Sequence, residues 1–194
     1  MAPGDPIRDA TDERLVERAR TGDRNAYGEL VRRHQTAALR LAATICGSTE
    51  EARDIVQDAL VKGYRSLDRY RGEAPVRSWL LRIVANDAKN AVRASVRRLG
   101  REERYEALRR MSPPADPVGE RVAVDAESAV LLDVLATLDE RDREVLACRF
   151  VVGLSEPETA ATLGVPLGTV KSRTARALSR ARLLADPDRG VDGS

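Results

Sequence analysis

Aromatic side chains make up only 3% of this 194-residue chain: four Tyr, one Trp and one Phe. Any core must therefore be built mainly from aliphatic residues and alanine. The two cysteines, Cys46 and Cys148, lie far apart and form no CxxC. That excludes a disulfide scaffold and a structural zinc site, and it fits a reducing compartment. With one histidine, His34, a carboxylate–histidine metal bundle has no ligand set, and His34 itself, on an apolar stripe, reads as a packed histidine. No apolar run approaches the ~20 residues of a membrane-spanning helix. The first twelve residues carry acids and no apolar stretch, so neither signal peptide nor membrane insertion is expected, and the cytoplasm is the expected location. Nothing alternates with period two, so strands are not expected. No nucleophile–base pair or metal constellation is legible, which argues against an enzyme and implies no cofactor.

Charge is what the chain has in quantity: 33% of residues, balanced to a net +2. It is unevenly placed. Residues 1–100 carry a net +5, residues 101–130 a net −2 and residues 131–194 a net −1. Two stretches contain no acid. Residues 88–101 hold Lys89, Arg93, Arg97, Arg98 and Arg101, and residues 159–185 hold Lys171, Arg173, Arg176, Arg180 and Arg182. Two basic helices in a near-neutral chain point to two contacts with a polyanion, although a charge run alone equally describes a solvated helix face.

The N-terminal half reads as helices throughout. Thr11 caps a helix over 12–20 that Gly22 closes, and Asp23 opens the next. Tyr27, Leu30, Val31, His34, Ala38, Leu41, Ala42 and Ile45 then follow at helical spacing up to Gly47. Ser48 and Glu51 have capping-box spacing, and Ala52, Ile55, Val56, Ala59, Leu60, Tyr64 and Leu67 continue the period. Arg71-Gly72-Glu73-Ala74-Pro75 breaks it, and a long helix from about Val76 turns Trp79, Leu80, Ile83, Val84, Ala88, Ala91 and Val92 inward. Four helices with short connections make a bundle. Pro113, Pro114 and Pro117 mark a linker.

The C-terminal half carries a sharper pattern. Leu131, Val134, Leu135 and Leu138 mark one amphipathic helix, and Asp139 caps another holding Val145, Leu146 and Phe150 that Gly153 closes. Ser155 and Glu158 form a second capping box, with Pro157 tolerated in the first turn. The helix stops at Gly164, and a second one carries Gly168-Thr169-Val170-Lys171-Ser172-Arg173. Ala160 lets the two helices approach, Gly164 can take the left-handed turn, and Val170 returns to the core beside Leu163, Val165, Leu178 and Ala181. That is helix-turn-helix spacing. It leaves Lys171, Ser172, Arg173, Arg176 and Arg180 outward on a helix that fits a major groove. An ordinary helical hairpin with a solvated basic face is the plainer alternative.

Asp54-Ile55-Val56-Gln57-Asp58-Ala59-Leu60, the stretch from Tyr70 to Leu80, and Ile83-Val84-Ala85-Asn86 resemble domain 2 of bacterial sigma factors. Gly153-Leu154-Ser155, Leu163-Gly164-Val165-Pro166 and residues 168–173 resemble their domain 4. The short chain without an intermediate domain is similar to the extracytoplasmic-function (group IV) sigma factors of RNA polymerase. The resemblance covers about residues 11–98 and 126–184. It implies an all-α fold of two small helical domains: domain 2 over 11–100, a flexible linker over 101–125, and the domain 4 helix-turn-helix over 126–185.

By the same resemblance, the protein is a promoter-specificity subunit that binds RNA polymerase core, at the β′ clamp and β flap, and reads −10 and −35 elements in promoter DNA. An anti-sigma factor is the implied controlling partner. Asp54, Ile55, Val56, Gln57 and Asp58 are the implied polymerase contacts, with Ile55 and Val56 equally readable as core. Arg71, Gly72 and Glu73 match the loop that captures a base flipped from the −10 element. Asn86, Lys89 and Asn90 share a helix face that would hold base edges and phosphates, with Arg93 as a further phosphate contact. Tyr70 is better placed than Trp79 or Tyr64 to stack on a melted base. For the −35 element the resemblance implies Lys171, Ser172 and Arg176 as base readers, Arg173 and Thr169 as support, and Arg149 as a phosphate contact. Ala175 and Ala177 suggest a small-residue face, and Pro166 and Leu167 stand where a hydroxyl cap is often found. A freestanding helix-turn-helix regulator, dimeric through its N-terminal bundle and binding an operator unaided, is the alternative from another class.

Overall fold

The computed structural model describes residues 7–106, Leu135 and 138–185. The linker from 107 onward and the helix expected around Leu131 and Val134 lie outside the described residues. Among the described residues there are no strands.

The expected local signals set the helix ends. Helix α1 (Asp12–Arg20) starts where the Thr11 side chain accepts from the Arg14 amide at 3.4 Å. Helix α2 (Arg24–Cys46) is capped by Asp23, whose carboxylate accepts from the Asn25 and Ala26 amides, and ends on Gly47 at φ +75°. That positive φ needs a residue without a side chain. Helix α3 (Thr49–Arg65) follows Ser48, whose hydroxyl accepts from the Glu51 amide. A 3-10 turn, Leu67–Arg69, then interrupts the helical period. Helix α4 (Val76–Glu106) is the longest. It passes residue 100, where the sequence places the domain's end, because Arg101, Glu102 and Glu103 are good helix formers and no proline intervenes before Pro113.

Helices α2, α3 and α4 pack on one another, and α1 lies across α2. The core is aliphatic, as the composition requires. Leu41, Ala42, Ala52, Ala59, Leu81, Val84 and Ala88 meet in one cluster, and Leu15, Leu30, Leu67 and Leu80 in another. Tyr27 crosses the bundle and donates its hydroxyl to the Leu60 carbonyl at 2.6 Å. Burial raises that phenol to about 12.

The second unit begins with α5 (Glu140–Leu146), capped by the Asp139 carboxylate. A π turn, Ala147–Val151, follows it directly. Helix α6 (Glu156–Leu163) opens with both capping-box bonds between Ser155 and Glu158 and closes on Gly164 at φ +66°. Helix α7 (Leu167–Ala185) completes the turn. Val145, Cys148, Val152, Leu154, Leu163 and Val170 join the same cluster as the α2–α4 core, so the two units are in contact.

One buried charge cluster ties α1 to α2. Glu29, 6% exposed, accepts from Arg32 at 2.6 and 2.7 Å and from Arg33 at 2.9 Å. Arg33 and His34 both reach Asp12, at 2.9 and 2.7 Å. The Arg32 guanidinium, with Arg33 beside it, holds the Glu29 carboxyl at about 2, against an ordinary 4.5. A carboxylate depressed by folding stabilises the fold above its ordinary value and stops doing so once protonated. The contribution of Glu29 is thus complete above pH 4.5 and lost as pH falls towards 2. The thermal midpoint, followed by circular dichroism, is expected to fall across that window. Glu29→Gln is expected to flatten the fall, and equal slopes for the two proteins would assign the acid sensitivity to other groups.

Candidate nucleic-acid interface

Helix α7 is presented by the turn that precedes it. Gly164 reverses the chain, and the Val165 amide reaches back to the Ala160 carbonyl at 3.1 Å. Thr169 and Val170 donate to the Pro166 carbonyl. Pro166 cannot offer a hydroxyl cap, so the first turn is closed on that backbone oxygen. Val170 is fully buried, and Leu178 and Ala181 are half-buried against Leu135, Leu138 and Leu146. With that stripe inward, Lys171, Ser172, Ala175 and Arg176 are exposed, and Thr169 and Arg173 are half-buried beside them. Ser172 donates its hydroxyl to the Thr169 carbonyl at 3.2 Å. Lys171 is 3.9 Å from Glu156, and Arg176 has no ion-pair partner among the described residues.

Two expectations on this unit need correction. Ala177 is fully buried and not part of an outward small-residue face. It lies seven residues after Val170, on the same side of the helix, and packs with Leu135, Leu138 and Leu146. Phe150 is 49% exposed. The π turn admits an extra residue into the helical repeat, which takes Phe150 off the inward face. Arg180 is outward, as its spacing predicts, and is braced to Asp139 at 2.5 Å and Asp142 at 2.9 Å. Arg149 is half-buried and donates to the Leu154 carbonyl, while its Nε is buried without a partner.

In the first unit, Asn86 and Asn90 are exposed on α4. Lys89, between them, is engaged: its ammonium lies 3.5 Å from the Glu144 carboxylate of α5, with side chains only 14% and 9% exposed. Burial raises the Glu144 carboxyl and Lys89 opposes the rise. Arg93 reaches Glu140 at 3.4 Å. Arg77 donates to the Val152 carbonyl at 2.9 Å. The side of α4 next to its two asparagines is therefore covered by the second unit, a relation that no reading of either half alone reveals.

The loop between the 3-10 turn and α4 exposes Arg71, Gly72 and Glu73, with Gly72 at φ +75°. Beside it lies a cavity of about 310 Å³ lined by Arg69, Tyr70, Arg71, Glu73, Ala74, Trp79, Arg82 and Ala161. Two aromatic rings and three guanidinium groups around one opening suit a flat, anionic partner such as a nucleotide. On α3, Asp54, Gln57 and Asp58 are exposed and Ile55 is half-buried. Val56 is 4% exposed and packs in the core, so it is not a surface contact. Its place beside Ala52 and Ala59, on their side of the helix, sets it inward. Val61, at helical spacing from Asp54, Gln57 and Asp58, extends that exposed side, while Tyr64, expected on the inward stripe, is 38% exposed.

Cys148 is buried and Cys46 half-buried, and both are free thiols. Burial pushes the Cys148 thiol up to about 12 and raises that of Cys46. Among the described residues no group of His, Cys, Asp and Glu could hold a metal ion, and no helix is long and apolar enough to cross a membrane.

Comparison with known proteins meets this geometry in both units. Residues 30–98 match the family described as Sigma-70 region 2, and residues 134–182 match Sigma-70, region 4. The chain is 33% identical over 174 residues to the ECF RNA polymerase sigma-E factor of Haemophilus influenzae, covering 86% of this chain and 91% of that one. It is 31% identical over 185 residues to RNA polymerase sigma factor CnrH of Cupriavidus metallidurans, covering 91% and 95%. The solved structure of CnrH in complex with the cytosolic domain of CnrY superposes with a TM-score of 0.69 at 30% identity, over 91% of this chain and 98% of that one. Two helical units, one carrying a helix-turn-helix and the other a basic helix beside a cationic loop, thus occur here in the order and over the length found in these relatives, and the chain belongs to the extracytoplasmic-function sigma factors of the sigma-70 family.

Proposed function

We propose that this chain, acting in the cytoplasm, gives RNA polymerase core its choice of promoter and performs no covalent chemistry itself. Domain 4 reads the −35 element as duplex. Lys171, Ser172 and Arg176 face base edges, Arg173 and Thr169 support them, and the one terminal nitrogen of Arg149 not spent on Leu154 is left for a phosphate. Domain 2 meets the −10 element after melting. Asn86 and Asn90 offer amides to base edges, Lys89 and Arg93 hold the backbone, and residues 71–73 border the pocket that takes a flipped base. Asp54, Gln57 and Asp58, with half-buried Ile55, form the polymerase-facing side of α3. The observation that carries the reading is the exposed Lys171, Ser172 and Arg176 on a helix whose opposite side is locked inward by Val170.

Lys89 has to leave Glu144 before it can hold a strand, so promoter binding requires the two units to part. Each then offers few phosphate contacts, and affinity depends on polymerase holding both to one DNA. CnrH is known in complex with the cytosolic domain of CnrY, which supports a comparable anti-sigma partner for this chain. The test is transcription: core polymerase with this chain is expected to give specific transcripts from a cognate promoter, and core alone none. No specific transcript from any candidate promoter, together with tight binding of a palindrome by the free chain as a dimer, would replace this reading with the freestanding regulator.

A further inference from the structure

Arg20 is the last residue of α1, and the reading above gives it no role. Its Nε donates to the Leu67 carbonyl at 3.2 Å, and its Nη2 donates to the Tyr70 carbonyl. These oxygens belong to the 3-10 turn and to the residue after it, the point where the loop departs. The Leu67 carbonyl also accepts from the Tyr70 amide at 3.1 Å, so Arg20 adds a second donor there, and both oxygens lie at the negative, C-terminal end of the turn. A planar guanidinium presents Nε and Nη2 as two parallel donors in a fixed fork that spans both oxygens, a spacing that the point-like, freely rotating ammonium of lysine does not fix.

The guanidinium also lies over the Tyr70 ring, 5.8 Å from its centroid. Tyr70 in turn rests against Trp79 with centroids 5.4 Å apart, and its hydroxyl donates to the Ala74 carbonyl at 2.7 Å. Tyr70 and Ala74 bracket Arg71, Gly72 and Glu73. The loop is therefore closed at its base by one side chain, and that side chain is held by α1. Tyr70 cannot swing out to stack on a base without losing both Trp79 and Ala74.

We propose that Arg20 is a positioning residue for promoter recognition: through the two carbonyls and the Tyr70 ring, it holds the loop of residues 71–73 in the shape that receives a flipped base. This rests on the reading that the loop captures one. Pre-organising a loop removes an ordering cost from binding, so loss of the clasp should weaken capture of the base and leave other contacts alone.

The test uses the full chain with polymerase core and −10 single strands. One strand is complete, and a series lacks one base at a time. The wild type is expected to bind one abasic strand more weakly than the complete strand, which marks the captured position. Arg20→Ala should lower affinity for the complete strand roughly ten-fold, the range of a charge-assisted hydrogen bond at a partly exposed site, and leave that abasic strand unchanged. Arg20→Lys should fall between the two. Tyr70→Phe, which keeps the ring and removes only the Ala74 bond, should give a smaller loss on the complete strand alone. Equal losses for Arg20→Ala on both strands, or no loss on the complete strand, would overturn the proposal. A wild type that binds every abasic strand as well as the complete one would instead remove the capture reading itself.

Discussion

Gly63→Leu is expected to lower the stability of the chain by about 2–4 kcal/mol, measured as a shift in the urea midpoint. A Cβ at Gly63 would stand 2.8 Å from the Tyr27 hydroxyl and 3.0 Å from Leu80 Cδ2. Tyr27 cannot simply retreat, because its hydroxyl is bonded to the Leu60 carbonyl. Forcing extra carbons into a packed core costs about 1–3 kcal/mol, and stranding a buried hydroxyl or carbonyl costs about 1–3 kcal/mol more. Leucine recovers only about 0.8 kcal/mol through its better helix propensity. The sum therefore favours destabilisation at every point in these ranges. Tyr27→Phe removes the colliding oxygen, so the double variant should lose less than the two single losses added together. Additive losses would mean that the hydroxyl is not what Gly63 accommodates.

Arg176→Ala is expected to cost about 1–3 kcal/mol at the −35 element, roughly five- to 150-fold in affinity of the polymerase-bound chain. Arg176 is exposed and has no ion-pair partner among the described residues, so its removal strands nothing within the protein. Arg180 makes the contrast. It lies one turn further along α7 and is committed to Asp139 and Asp142. Arg180→Ala should weaken the join between α5 and α7 while leaving the ranking of −35 sequences as it was. Loss of ranking with Arg180→Ala, and none with Arg176→Ala, would exchange their roles.

Much of this architecture is legible in the sequence because local chemistry governs the helix ends. Thr11, Asp23, Ser48 and Ser155 each accept from an amide two or three residues on, and Gly47 and Gly164 each take the left-handed conformation. Such signals need no knowledge of the rest of the fold. Val56 shows where periodicity stops helping, since a half-exposed helix carries apolar residues on its docking side and its core side alike. The π turn is invisible for another reason: Ala147-Cys148-Arg149-Phe150-Val151 is compatible with ordinary helix, and packing alone selects the wider turn. The Lys89–Glu144 pair joins residues 55 apart in different units. No spacing rule along the chain reports a contact that depends on how two separate helical units meet.

The clasp of Arg20 on the loop has a practical corollary. A shortened version starting at Arg24, where the long second helix opens, would lose the hand that steadies residues 71–73, the Asp12 anchor of Arg33 and His34, and the Leu15, Val16 and Ala19 side chains from the core around Leu30 and Leu80. If α3 is the polymerase-facing side proposed above, such a trimmed protein is expected to bind polymerase core but to open promoters poorly. Its defect would lie in a residue that touches no DNA itself and only borders the loop that does.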